Sequence, residues 1–211
     1  MIRSLVLAAS LAAAAGAAFA QQGMPKPGDQ WTYEGRDLDQ PGTTRRVVFE
    51  VRSANAQAVV EAGRRDSGEA FELTHRAGAY LLGSPGGPVH FSPFFRAFEA
   101  FSPGRRWAKV PFEAFGLCTL DPNLQCRVDA VVTGRERVTV PAGTFEAWRV
   151  DATVNFGGAA KGATRTWTYW FADDVRRFVK AQTRSQGIKG SARGGGFTAN
   201  ADFELVSYRQ D

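Results

Sequence analysis

Short segments of alternating apolar and polar residues recur along this chain, and their spacing constrains the fold more than any other feature of the sequence. Thr43–Arg52 is the clearest early example, with Val47, Phe49 and Val51 on one face of a predicted strand. Such segments follow one another about every ten residues, with turn clusters such as Gly63–Gly68 between them, which is typical of β-meanders. Because no helical pattern separates the strands, a parallel sheet of βαβ units is disfavoured.

The alternation is strongest in the second half of the chain. Val128–Val140 alternates over its whole length, Pro141 and Gly143 then supply a turn, and Thr144–Phe156 alternates again. Pro fits the first central position of such a turn, and Gly accepts the positive φ that a turn often needs. The sequence therefore predicts a single, mainly β, antiparallel domain of about nine or ten strands with one short helix.

Residues 1–20 carry the pattern of a cleavable signal peptide. Arg3 supplies a short positive region, an apolar run follows, and Ala-Phe-Ala at 18–20 fits the small-x-small cleavage rule. A membrane anchor is the alternative, but the run is short for a spanning helix and no second apolar stretch follows it. We expect cleavage after residue 20, a single domain at 21–211, and a periplasmic or secreted product without a transmembrane segment.

Composition indicates a packed interior and a mildly basic surface. Hydrophobic residues make up 44% of the 211 residues, and 16 Phe, 5 Trp and 4 Tyr argue against disorder. The net charge is +5, and Arg pairs occur at 45–46, 64–65, 105–106 and 176–177. Either this surface favours anionic envelope partners, or the arginines simply solvate strand ends. No basic helix or binding motif points to nucleic acid.

Cys118 and Cys126 are the only cysteines in the sequence. An even cysteine count in an exported chain predicts a disulfide bond, here closing a small loop with a turn at 121–123. A metal site needs more ligands than this pair supplies, and His75 and His90 lie far from it in the sequence. We therefore expect a structural bridge and neither a metal nor another cofactor.

An aromatic segment at 91–101 interrupts the β pattern. Its rings recur at steps of three and four residues, which predicts a short helix with one aromatic stripe. One interpretation is the lid or mouth of an apolar pocket, and the other is a helix that fills the core of the sheet. On the first interpretation, the candidate ligand-binding residues are Phe91, Phe94, Phe95, Phe98, Phe101 and Trp107.

The sequence contains no recognisable catalytic motif. There is no Gly-x-Ser-x-Gly, the two histidines have no convincing partner in sequence, and most acidic residues lie at turns or on wet strand faces. Gly194–Gly196 precedes a strand pattern, whereas a phosphate-binding loop follows a strand and opens a helix. We therefore expect a protein that is not an enzyme.

Val-Thr-Val-Pro-Ala-Gly-Thr-Phe at 138–145 resembles the V-x-V-P-A-G-T-F hairpin of a bacterial periplasmic family of unknown function, and similar hairpins occur in TapB-like, pilus-associated proteins. Gly28–Tyr33, Phe101–Trp107 and Trp170–Lys180 are similar, in the same order, to other segments of that family, although a Leu of the second segment is absent here. The resemblance implies a strongly curved antiparallel sheet, a half-barrel or open barrel similar in outline to the carriers LolA and LolB, and no catalytic residues.

Two functions of different classes fit these features. A binder or carrier would hold an apolar, lipid-like or anionic envelope ligand inside the curved sheet. It needs a lined cavity, and a concave face filled by the protein's own side chains would argue against it. An interaction module would bind an envelope protein partner through an exposed apolar or basic patch and assist assembly of a surface structure. The aromatic segment favours the carrier.

Overall fold

The computed structural model describes residues 23–77, 81–83, 89–98, 100–111, 127–155, 162–186 and 200–210, except for the side chains at 81–83, 89–91, 109–111 and 127. Ten strands of this part form one sheet: β1 (Gln30–Asp37), β2 (Thr44–Ala54), β3 (Ala58–Arg65), β4 (Ala70–Arg76), β7 (Arg106–Pro111), β8 (Arg127–Val140), β9 (Gly143–Asn155), β10 (Thr164–Ala172), β11 (Arg177–Gln186) and β12 (Ala201–Arg209). A separate hairpin consists of β5 (Leu81–Gly83) and β6 (Val89–Phe91). The helix α1 (Phe95–Phe98) follows it. In this part of the chain no helix has the length and apolar character that crossing a membrane requires.

The large sheet is open and antiparallel throughout. Its strand order is β4-β3-β2-β1-β12-β11-β10-β9-β8-β7, so two meanders, β1–β4 and β7–β12, are joined where β1 pairs with β12. β4 and β7 form opposite edges and do not pair with each other. The predicted fold class, one open antiparallel sheet of nine or ten strands with a short helix, is confirmed over the described residues.

One face of the sheet carries most of the core, and we call it the inner face. In an antiparallel sheet, residues that pair across strands share a face. Tyr33 of β1 is opposite Val47 of β2, and Val150 of β9 is opposite both Val132 of β8 and Tyr169 of β10. The buried apolar residues form two clusters. One lies under β7–β11, and the other joins β1–β3 to β12 and to the tip of the β8–β9 hairpin.

The long β8–β9 hairpin bends back over the sheet at its tip. A bulge shifts the register of the two strands at Gly134, whose φ of 154° is a conformation that residues with a Cβ rarely adopt. The predicted turn is present as Pro141-Ala142. The backbone N–H of Ala142 donates to the carbonyl of Leu205 in β12 at 3.0 Å, so the tip is fixed to the centre of the sheet.

Between β4 and β7 the chain must pass from one edge of the sheet to the other. Helix α1 lies in this connection, and we call residues 92–98, 100 and 101 the crossing segment. Its backbone N–H groups at Phe95 and Ala97 donate to the carbonyls of Ser92 and Phe94. Among the described residues, these backbone bonds stay inside the crossing segment, which therefore depends on side-chain packing to stay on the sheet.

Candidate functional site

The structure places most of the predicted ligand-binding residues in the core. The predicted helix at 91–101 is present but limited to Phe95–Phe98. The side chain of Phe91 lies outside the described residues, and Phe98 is half-buried. The remaining four are buried: Phe94, Phe95, Phe101 and Trp107.

Aromatic rings of the crossing segment pack directly on the inner face. The ring centroids of Phe94 and Trp31 are 5.7 Å apart, and those of Phe101 and Phe171 are 5.5 Å apart. Both pairs meet edge to face, an arrangement that adds stability beyond the burial of apolar area. This placement agrees with a helix that fills the core, and ligand binding by these residues stays a prediction.

An ion-pair group holds the outer side of the crossing segment. The carboxylate of Asp173, at the start of the 3-10 turn Asp173–Val175, lies 3.1 Å from Nε of Arg96 and 2.7 Å from Nη2 of Arg135. The Arg135 guanidinium also lies over the ring of Trp148, 4.5 Å from its centroid. Because these side chains are partly exposed, each ion pair contributes about 1 kcal/mol or less to the stability of the fold.

A buried group of charged residues occupies the β1–β4 half of the inner face, and we call it the Arg177 cluster: Glu61, His75 and Arg177. Their exposed fractions are 0%, 0% and 2%. The two carboxylate oxygens of Glu61 accept hydrogen bonds from Nη1 and Nη2 of Arg177, the second at 3.2 Å. Nε2 of His75 lies 2.8 Å from Oε1 of Glu61. Because a carboxylate can only accept, this nitrogen carries the proton.

Aromatic rings surround the Arg177 guanidinium. Its Cζ lies 4.3 Å from the ring centroid of Phe49, 4.9 Å from Phe94, 5.1 Å from Trp31 and 5.5 Å from Tyr33. A cation within about 6 Å of an aromatic face is attracted by the ring quadrupole, most strongly when it is desolvated. The protein therefore compensates this buried cation with its own carboxylate and its own rings.

Burial and charge fix the protonation of the groups around Arg177. Burial on its own would raise the pKa of the Glu61 carboxyl, but the charges and hydrogen bonds of Arg177 and His75 outweigh it and lower the pKa to about 2. Burial raises the pKa of the Tyr33 phenol well above its ordinary range, against the opposing charge of Arg177. Tyr33 is therefore neutral, and its hydroxyl donates to the carbonyl of Phe178.

A Glu–His pair is also the pattern of an acid–base dyad, but this one is poorly placed for catalysis. Both side chains are buried, and the carboxylate of Glu61 is already bound by Arg177 on both oxygens. A general base must reach a proton of the substrate within hydrogen-bond distance. The arrangement instead joins β3, β4 and β11, and through Phe94 it also holds the crossing segment.

Little in the sequence points to the Arg177 cluster. Both interpretations of the Arg pairs place 176–177 at the surface. Arg176 is half-buried, but Arg177 is enclosed in the core. Arg177 follows the same alternation as Val179, Ala181 and Thr183, which are all buried. This alternation, visible in the sequence, indicates that Arg177 lies on the buried side of its strand.

Metal binding receives no support from the part of the chain that the structure describes, because no three His, Cys, Asp or Glu side chains there form a group that could hold an ion. The predicted disulfide between Cys118 and Cys126 lies outside the described residues.

Residues 117–192 match the model of the family DUF3108, whose description is 'protein of unknown function'. The DUF3108 match covers less than half of the chain and contains β8–β11 with their long hairpin. It supports the resemblance of this hairpin to a family of unknown function, whereas the resemblance to TapB-like proteins stays a prediction. A comparison with curated proteins finds no match.

Several solved structures share the general outline. An exported protein with a YmcC-like fold from Bacteroides fragilis is 14% identical, with a TM-score of 0.48 over 88% of this chain and 98% of that one. The lipoprotein YmcC from Escherichia coli is 11% identical, with a TM-score of 0.44 over 91% and 90%. The MucA/MucB complex from Pseudomonas aeruginosa is 13% identical, with a TM-score of 0.37 over 90% and 54%. Similarity at this level carries no inference about function.

Proposed function

We propose that the protein is a non-catalytic binder or carrier of an apolar, lipid-like ligand in the bacterial envelope, and that the ligand enters by displacing part of the crossing segment. The observation that carries the proposal is the way the inner face is covered. The crossing segment lies on it through the rings of Phe94, Phe95 and Phe101, while its described backbone bonds stay internal.

A ligand can take the place of aromatic side-chain contacts like these. An alkyl chain can replace the dispersion contacts that the Phe101 ring makes with Trp107 and Phe171, and this exchange leaves the ion pair of Arg177 with Glu61 in place. A face covered in this way is not a permanently open cavity, so the simplest carrier, with a ready-made pocket under the aromatic stripe, is disfavoured. Displacement of the crossing segment is the form of the carrier hypothesis that accommodates the filled face.

Two further features support the proposal. The signal-peptide pattern at 1–20 is consistent with a site of action in the periplasm or outside the cell. The enclosed Glu61–His75 pair is consistent with a function other than catalysis, because its carboxylate already serves Arg177.

The first test is native mass spectrometry of the protein purified from a periplasmic extract without detergent. A discrete added mass that disappears on organic extraction and is identified as a lipid is the expected result. Saturable binding of the neutral apolar dye N-phenyl-1-naphthylamine is the second readout. A bare protein mass together with no saturable dye binding would contradict the proposal.

A pair of variants tests the route of entry. Phe101→Ala removes a ring that contacts both Trp107 and Phe171, so it loosens the crossing segment and is expected to increase dye affinity several-fold. Phe71→Ala is the matched control, since Phe71 lies on the edge strand β4 and contacts Phe49 of β2. Equal dye affinities in the two variants would show that the crossing segment does not control entry.

An envelope interaction module is the second candidate, and the edge strand β4 favours it. Among the described strands, β4 pairs only with β3, and Glu72, Thr74 and Arg76 are exposed along it. An unpaired edge can accept a strand from another protein. A photo-crosslinker at Thr74 should then capture one defined partner in cells, and the same group at exposed Arg52 should not. Identical patterns at the two positions would remove this candidate.

A further inference from the structure

A second buried arginine lies in the other half of the inner face. Arg165 of β10 is 8% exposed. It is opposite Val154 of β9, which is itself opposite Val128 of β8, and Trp167 follows two residues later on the same face. All three of these neighbours are buried apolar residues. Arg165 therefore lies at the end of an apolar surface, next to the point where β9 ends and β10 begins.

Arg165 has no carboxylate partner among the described residues. Its hydrogen bond within this part of the chain runs from Nε to Oγ of Ser185 at 2.9 Å, and Ser185 is the residue opposite it on β11. Burial lowers the pKa of the Arg165 guanidinium, an effect that the nearby Tyr169 partly opposes. A buried cation is normally paired, because removing it from water costs several kcal/mol, about as much as a good ion pair returns.

The Arg177 cluster shows which partners a structural, buried arginine has in this same sheet. Arg177 receives both oxygens of Glu61 and a cage of rings. Among the described residues, Arg165 receives a single neutral hydroxyl, on Nε, and neither of its Nη groups has a hydrogen-bond partner there. A guanidinium held in this way presents the fork geometry that binds a carboxylate or a phosphate with two hydrogen bonds.

The neighbouring arginine on β11 is already paired with a carboxylate. Nη2 of Arg184 lies 2.7 Å from Oδ1 of Asp202. Of these two arginines, Arg165 is therefore the one without a carboxylate partner among the described residues.

We propose that Arg165 binds the anionic head group, a carboxylate or a phosphate, of an amphiphile whose alkyl chain lies along the apolar inner face beside Trp167. This inference rests on the proposed function and adds the chemical class of the ligand. Ser185 orients the guanidinium, Arg165 selects for charge, and the apolar strand positions Val128 and Val154 contact the first part of the chain.

Three brominated probes with the same dodecyl chain test the inference: ω-bromododecanoate, ω-bromododecyl phosphate and the neutral ω-bromododecanol. Bromine quenches tryptophan fluorescence on contact, so the loss of fluorescence from the five Trp residues of the chain reports binding. The anionic probes are expected to bind the wild-type protein at least about tenfold more tightly than the alcohol, as for a charge-assisted hydrogen-bond pair. The comparison of carboxylate with phosphate then separates a fatty-acid type of ligand from a phospholipid type.

Variants separate a ligand-binding role from a structural one. Arg165→Gln should reduce the affinity for the anionic probes to that for the alcohol, and Arg165→Lys should keep part of the difference. Arg184→Gln removes the same charge from the next strand and should change neither affinity. Without ligand, Arg165→Gln should melt at the temperature of the wild type or above it, because an uncompensated buried charge is gone.

Each possible outcome has a defined meaning. Equal affinities for all three probes in the wild type, or an unchanged preference in Arg165→Gln, would overturn the head-group inference and leave the proposed function standing. A lower melting temperature of ligand-free Arg165→Gln, with the preference retained, would show that Arg165 is structural. Failure of the wild type to bind any of the probes would overturn both proposals.

Discussion

Replacing Glu61 by Gln should destabilise the protein more than any exposed charge substitution does. The change keeps the shape of the side chain but removes the charge that compensates Arg177 in the core. Folding lowers the pKa of Glu61 from 4.5 to about 2, and at about 1.4 kcal/mol per pKa unit this corresponds to about 3 kcal/mol in favour of the folded state. Removal of one partner from a buried ion pair costs about 3–5 kcal/mol, which agrees.

The lowered pKa of Glu61 also makes the free energy of unfolding depend on pH in a defined direction. Because folding lowers the pKa of Glu61, the unfolded chain takes up the proton at a higher pH than the folded protein does. The stabilisation is therefore complete above the unfolded value of 4.5 and is lost as the pH falls through about 2. Glu61→Gln has no such group, so its difference from the wild type should be largest at neutral pH and shrink between pH 5 and 2.

Urea denaturation followed by tryptophan fluorescence measures both effects. Glu50→Gln is the matched control, since Glu50 pairs with Arg52 at the surface and should contribute about 1 kcal/mol or less. A Glu61→Gln variant whose free energy of unfolding at pH 7 is within about 1 kcal/mol of the wild type would refute the stabilisation assigned to the ion pair. A difference of the same size at pH 5 and pH 2 would refute the assignment of the titration to Glu61.

Two further substitutions test packing in each meander. Gly63→Ala places a Cβ against Cζ of Phe71, so we expect the free energy of unfolding, measured by urea denaturation, to fall by about 1–3 kcal/mol. The loss should vanish in a Phe71→Ala background, and equal losses in the two backgrounds would exclude this contact as the cause. Trp170→Phe removes the hydrogen bond from Nε1 to Glu136 and should cost about 2 kcal/mol. Trp107→Phe, with no such bond among the described residues, should cost less in thermal melts, and the opposite order would contradict the assignment.

The sequence predicts the sheet well because local patterns specify it. Alternation in Thr164–Phe171 places Trp167 and Tyr169 on one face, and the turn residues of the β8–β9 hairpin set its register, so neighbouring strands along the chain also become neighbours in the sheet. The pairing of β1 with β12 has no local signal, because it joins residues such as Tyr33 and Leu205 that are far apart in sequence.

The candidate sites are built from residues that are far apart in the sequence, so sequence patterns do not predict them. Glu61 and Arg177 are 116 residues apart, and neither lies in a motif. Arg165 looks like an ordinary strand residue until its neighbours Val154 and Ser185 show that its face is buried. In the aromatic segment, rings that recur every three or four residues predict a helix. Its position on the sheet follows from the strand order, because the chain must cross from β4 at one edge to β7 at the other.

The junction of β1 with β12 has a consequence for the order of folding. Each meander can form from hairpins as soon as its strands are available, since those contacts are local. The halves cannot be joined before β12 emerges, because β12 lies between β1 and β11. If the chain is exported N-terminus first, as the pattern at 1–20 predicts, the unpaired side of β1 stays exposed until β12 has crossed the membrane. A chain exported in this way should be a good substrate for periplasmic chaperones that bind exposed strands.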